Sequence, residues 1–85
     1  MYILLFDKQF KKDIDKIEKK EKDRILKKIF ELKEYPELGK HLIGIDLWSL
    51  RIGKYRILYR IENNKLQILV LTIGHRKGIY KYLKN

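Results

Sequence analysis

The apolar positions of this chain fall into two textures, one with a helical period and one that alternates. Residues 2–6 form a short β-prone run closed by Asp7, a residue type suited to capping a helix. Phe10, Ile14 and Ile17 then recur at i, i+4 and i+7, with lysines and aspartates between them, and this spacing predicts a first amphipathic helix. Ile25, Leu26, Ile29, Phe30 and Leu32 keep the same period in a second helix. The charge-only stretch 18–24 between the two sets is where the chain is expected to turn or kink, and Pro36 and Gly39 are expected to end the second helix. The apolar positions cover too few heptads for a coiled coil, so the pair reads as a hairpin covering a core.

Beyond a loop at 36–44 the pattern becomes β. Strands are predicted over 47–52, 55–61 and 66–73, joined by tight turns at 53–54 and 62–65. In the middle strand Tyr55, Ile57, Tyr59 and Ile61 alternate with Arg56, Leu58 and Arg60. One face is therefore apolar, and the other carries two arginines about 7 Å apart. A closing segment with Ile79, Tyr80 and Leu83 reads as a turn or two of helix. The order β-α-α-β-β-β-α predicts an α+β fold over residues 1–85 as a single domain: a small, mostly antiparallel sheet with the helical hairpin packed on one face. Helices need the apolar face, so the Arg56/Arg60 face is assigned to solvent or a ligand.

A chain of 85 residues holds one modest core and excludes a doubly wound nucleotide-binding fold or an α/β barrel. The absence of Cys removes disulfides, thiolate metal sites and thiol catalysis, and makes a reducing, cytoplasmic setting the expectation. The apolar run 1–6 is too short for a signal-peptide core, and the run 66–73 is too short to span a bilayer, so no membrane association is expected.

Charge sharpens the picture. The chain carries 21 Lys+Arg against 11 Asp+Glu, a formal +10. Residues 1–45 net only +3, with 12 basic and 9 acidic side chains, whereas residues 46–85 net +7, with 9 basic and 2 acidic. Four of the five arginines lie in that second half, and the planar guanidinium fork matches phosphate oxygens, so nucleic acid is the first partner to test. Arg51, Lys54, Arg56, Arg60, Arg76 and Lys77 have almost no acidic neighbours in sequence.

The residue types also restrict the chemistry. His41 and His75 are the only histidines, one in a loop and one at a strand end, and are not expected to converge as an acid–base pair. The C-terminal half offers only Asp46 and Glu62, too few carboxylates for a two-metal nuclease. Gly53 and Gly74 stand alone as turn glycines without a phosphate-binding loop pattern, and no cofactor is implied. What remains is catalysis by positive charge: an RNA 2′-hydroxyl attacks the adjacent phosphorus while cations stabilise the oxyanion that develops. Arg56 and Arg76 suit that task, and Tyr80 could stack a base, exchange a proton, or simply fill the core of the last helix.

The segment Leu50-Arg-Ile-Gly-Lys-Tyr-Arg-Ile-Leu-Tyr59, followed by Ile73-Gly-His-Arg76 and Ile79-Tyr80, resembles the RelE branch of the RelE/ParE toxin superfamily. The resemblance spans nearly the whole chain and implies the toxin of a type II toxin–antitoxin system. It would be a ribosome-dependent endoribonuclease (an mRNA interferase) that cuts without metal by the 2′-hydroxyl route and so inhibits translation. It implies a RelB-like antitoxin as one partner and mRNA on the ribosome, with rRNA contacts, as the other. By position the family's catalytic residues fall on Arg56, Arg76 and Tyr80, and Arg51, Lys54, Arg60, His75 and Lys77 are the expected RNA-binding residues. Lys54, His75 and Arg51 all stay open as the general acid. The sequence departs from the family at Leu47 and Ser49, where RelE members carry two catalytic lysines, and Arg51 and Lys54 are the nearby cations in a position to substitute. That departure keeps a second reading open: a ParE-like toxin that inhibits DNA gyrase and cuts nothing, or a non-catalytic RNA-binding module.

Overall fold

The computed structural model describes residues 1–75 and 78–79. Strand β1 (Ile3–Phe6) leads into α1 (Lys8–Asp15) and α2 (Lys19–Phe30), and then come β2 (Lys40–His41), β3 (Trp48–Ile52), β4 (Tyr55–Glu62) and β5 (Gln67–His75). The five strands form one sheet in the order β1-β5-β4-β3-β2. All neighbours are antiparallel except β1 and β5, which run parallel from Ile3↔Gln67 to Phe6↔Val70. The α+β architecture expected from the pattern is present. Two elements of it were hidden: β2, inside the stretch read as loop, and the docking of β1 on the last strand.

Asp7 caps α1 as anticipated, its carboxylate accepting from the Gln9 amide at 3.0 Å. The helix break falls earlier than expected. The chain bends at residues 16–18, where the Ile17 amide donates to the Ile14 carbonyl at 3.1 Å, and the charged run from Lys19 to Arg24 is helical instead. Lys, Glu and Arg are good helix formers, and the Lys22–Asp15 and Arg24–Glu21 ion pairs, at 3.2 and 3.6 Å, lie along this stretch. Within the second set, Ile25, Ile29 and Leu32 are inside while Phe30 is exposed, because it falls outside the inward stripe. The α-helix ends at Phe30 and tightens into a 3-10 turn, Glu31–Lys33, before reaching Pro36.

Phe10, Ile14, Ile25, Ile29, Leu32, Leu50, Ile52, Ile57, Tyr59, Ile68, Val70 and Ile73 make one core between the helices and one sheet face. Val70 and Ile73 are three residues apart, which simple alternation cannot put on one face. A β-bulge resolves this: Leu58 pairs with Thr72 and Tyr59 with Val70, leaving Leu71 as the extra residue. Leu66, expected in the strand, instead closes the preceding turn with φ +52, its amide donating to the Asn63 carbonyl at 3.2 Å. Among the described residues, no helix is long and apolar enough to cross a membrane.

Candidate nucleic-acid interface

The site is built by strand parity. Ile57 and Tyr59 face the core, so Arg56, Leu58 and Arg60 project from the other side of β4. On β3 the cross-strand partners are Arg51 for Arg56 and Ser49 for Leu58, which puts Arg51 and Ser49 on that same side. Two arginines directly opposite each other repel, an arrangement that costs stability unless an anion sits between them. Neither makes an ion pair with a described acid. Arg51 is exposed and its Nε donates to the Gly53 carbonyl at 3.4 Å. Arg56 is half-buried, donates from Nη1 to the Ser49 hydroxyl at 3.0 Å, and keeps a buried Nε without a partner.

This face is less open than the sequence suggests. Leu58 is fully buried and Ser49 nearly so. The Gly78 amide donates to the His75 carbonyl at 2.9 Å, and Ile79 is buried against Gly74, the residue across β5 from Arg56. A Cβ on Gly74 would lie 3.3 Å from Ile79 Cδ1, so the small residue makes room for this return. The cationic surface is thus limited to the arginines around the buried Leu58 and Ser49, and is not a bare sheet face.

The other expected residues divide. Arg60 shares the face but its Nε lies 3.3 Å from Glu62 Oε1, an ion pair without hydrogen-bond alignment. Both side chains are about 40% exposed, so the pair is weak and part of the Arg60 charge stays available. His75 pairs with Tyr55, the two rings 5.1 Å apart, and Lys54 Nζ lies 5.7 Å from the Tyr55 ring centroid. Parity puts Tyr55 and His75 on the side opposite Arg56, so Lys54, Tyr55 and His75 form a second cluster at the same end of the sheet. Arg76, Lys77 and Tyr80 lie outside the described residues, as does all of the expected terminal helix except Ile79. His41 stacks on Trp48 at the β2 edge, far along the sheet from His75.

Sequence reasoning missed two polar groups. Ser49 is the acceptor that holds Arg56; its signal was its place two residues before Arg51, opposite Leu58. Tyr59 donates its hydroxyl proton to the Pro36 carbonyl at 2.7 Å and accepts from the Gly39 amide at 3.0 Å, which ties the β2 connection to the core. Burial is the main cause that pushes its pKa up to about 12, with the Glu37 carboxylate adding to the rise and the Gly39 bond opposing it. A side chain at Gly39 would meet the Ser49 carbonyl at 2.7 Å and Tyr59 Oη at 2.9 Å, so only glycine fits there.

Comparison with known proteins gives this arrangement its context. Residues 4–80 match the family described as "ParE toxin of type II toxin-antitoxin system, parDE". The chain belongs to the RelE/ParE toxin superfamily. The toxin in the intact E. coli RelBE toxin–antitoxin complex is similar with a TM-score of 0.78 and 28% identity, over 88% of this chain and 96% of that one. The RelB–RelE antitoxin–toxin complex of Methanococcus jannaschii contains another similar chain, with a TM-score of 0.74 and 28% identity over 92% of this chain and 96% of that one. Toxin RelG of Mycobacterium tuberculosis is 41% identical over 34 residues, a stretch covering 40% of this chain and 39% of RelG. This superfamily member therefore carries the RelE fold.

Proposed function

We propose that this toxin is a ribosome-dependent mRNA endonuclease that acts by 2′-hydroxyl attack, with Arg56 as its central phosphate ligand. The observation that carries this reading is the Arg51/Arg56 cross-strand pair, which no described carboxylate neutralises. In the reaction the 2′-oxygen bonds to phosphorus as its proton passes to a base, and the bond to the 5′-oxygen breaks, with that oxygen taking up a proton. The products are a 2′,3′-cyclic phosphate and a 5′-hydroxyl. Arg56 and Arg51 serve the negative charge that grows on the equatorial oxygens. Arg76 is proposed as a second phosphate ligand and Tyr80 as base or stacking residue on the strength of the resemblance alone. Of the three general-acid candidates, Lys54 and His75 cluster with Tyr55 on the side of the sheet opposite Arg56, and Arg51 is the one that shares the side of Arg56. A RelB-like antitoxin is the proposed partner, since the similar toxins of E. coli and M. jannaschii were each solved with theirs.

The test is cleavage mapping on ribosomes programmed with a defined message. Wild-type protein should leave 5′-hydroxyl ends in the decoding site. Arg56→Ala should slow this roughly 100-fold or more, and Arg51→Ala about 10-fold, the range seen when preorganised donors to a developing charge are removed. Intact messages on toxin-bound ribosomes would overturn the proposal. Leu47 and Ser49 at the lysine positions, together with the match to a family described by ParE, favour gyrase inhibition as the second reading. It predicts cleaved DNA accumulating on gyrase and no new RNA ends.

A further inference from the structure

The serine that replaces an expected lysine lies nearly buried, at 2% exposure, on β3, with its hydroxyl 3.0 Å from Arg56 Nη1. A buried hydroxyl needs a partner, and a guanidinium with a free choice of rotamers needs something to fix its plane. Each group meets the other's need. Arg56 otherwise has a buried Nε with no acceptor and a like charge directly across the ladder in Arg51, so no other described hydrogen bond or ion pair orients it.

We propose that Ser49 is a positioning residue for Arg56, its Oγ setting the plane of the guanidinium so that the remaining donors of the fork meet a phosphodiester as a preformed seat. This rests on the nuclease reading for its biological meaning, but not for its physical content. A lysine at this position would add a further cation beside Arg51 and Arg56 and could not accept a hydrogen bond. The serine trades one charge for order in the charge that remains. Only the hydroxyl is needed, so Ser49→Thr retains the function if the extra methyl is accommodated, and Ser49→Ala removes it with little loss of volume.

Three measurements on the full chain decide the matter. The first is the side-chain NMR order of the Arg56 Nε–H group in the free protein. Ser49→Ala should convert it from ordered to mobile, and Ser49→Thr should keep it ordered. The second is the affinity for a short single-stranded RNA whose 2′-hydroxyls are replaced by hydrogen, which cannot be cut. Ser49→Ala should weaken binding about 10-fold with an unchanged melting temperature, while in an Arg56→Ala background the same change should have no further effect. The third is the cleavage rate on programmed ribosomes, expected to fall about 10-fold or more in Ser49→Ala and to recover in Ser49→Thr. An Arg56 that stays ordered in Ser49→Ala overturns the proposal. So does a mobile Arg56 with unchanged affinity for the uncleavable RNA, or a Ser49→Ala penalty of the same size with Arg56 absent. If wild-type protein cuts no message, the nuclease reading falls, and the first two measurements still decide whether Ser49 orients Arg56.

Discussion

At the scale of single residues, burial decides what each polar group does. Tyr59 is fully buried, and its hydroxyl is useful only while it keeps its proton, since that proton makes the bond to the Pro36 carbonyl. Its pKa rises from 10.0 in an unfolded chain to about 12 in the fold. The sign follows: the neutral form is the folded form, so the contribution is complete below pH 10 and is lost as pH climbs from about 10 to about 12. A two-unit rise corresponds to at most about 2–3 kcal/mol. Tyr59→Phe should therefore lower stability by about 1–2 kcal/mol at pH 7 and flatten the loss between pH 10 and 12, as read by urea denaturation across that range. Arg56 follows the same logic with the opposite outcome. It is half-buried with one donor satisfied, which leaves a charge in want of an anion.

Between elements, one polar tether outweighs its size. Asp13 on α1 accepts from the Thr72 hydroxyl at 2.9 Å across 59 residues of sequence, and from the Gln9 side-chain Nε2 at 3.0 Å within its own helix. Thr72 is 4% exposed and lies next to the bulged Leu71, so the contact fastens α1 to β5 where the ladder is irregular. Asp13→Ala strands a buried hydroxyl and should cost about 1–3 kcal/mol; adding Thr72→Val removes the stranded group and should recover much of that loss in chemical denaturation. A double variant no more stable than Asp13→Ala alone would show that the tether carries no such penalty. The helices, the three-strand meander and the hairpin turn were legible because each rests on local periodicity: Phe10 and Ile14, or Ile57 and Tyr59, declare their faces within a few residues. The break between the helices was misplaced because a run of charges looks like a loop on hydropathy alone, although Lys, Glu and Arg all favour helix.

For the whole molecule, the sheet order places its cations. Adjacent pairing of β3, β4 and β5 brings Arg51, Arg56 and Gly74 side by side at one end of the sheet, and residues 46–85, to which they belong, net +7 in sequence. Binding to single-stranded RNA should then be dominated by phosphate contacts and depend steeply on salt. With about four contacts, log affinity should fall with log salt at a slope of about −2.8, roughly a 50-fold loss between 50 and 200 mM. Fluorescence anisotropy checks this, and Arg51→Ala should make the slope shallower by about 0.7. A slope near zero would mean that the charge concentration plays no part in binding.

The order of residues alone determined the alternation on β4, the cap at Asp7, the charge imbalance between the halves and the family motifs, because each is a property of a few consecutive side chains or of their sum. The three-dimensional fold decided the rest. The seat of β1 beside β5, the two-residue strand β2 and the extra residue Leu71 depend on partners far away in the chain, which no local period encodes. The same is true of the candidate site. That Ser49 would meet Arg56, and that Ile79 would return over Gly74, follows from register between strands, and register is settled by packing rather than by the composition of either strand.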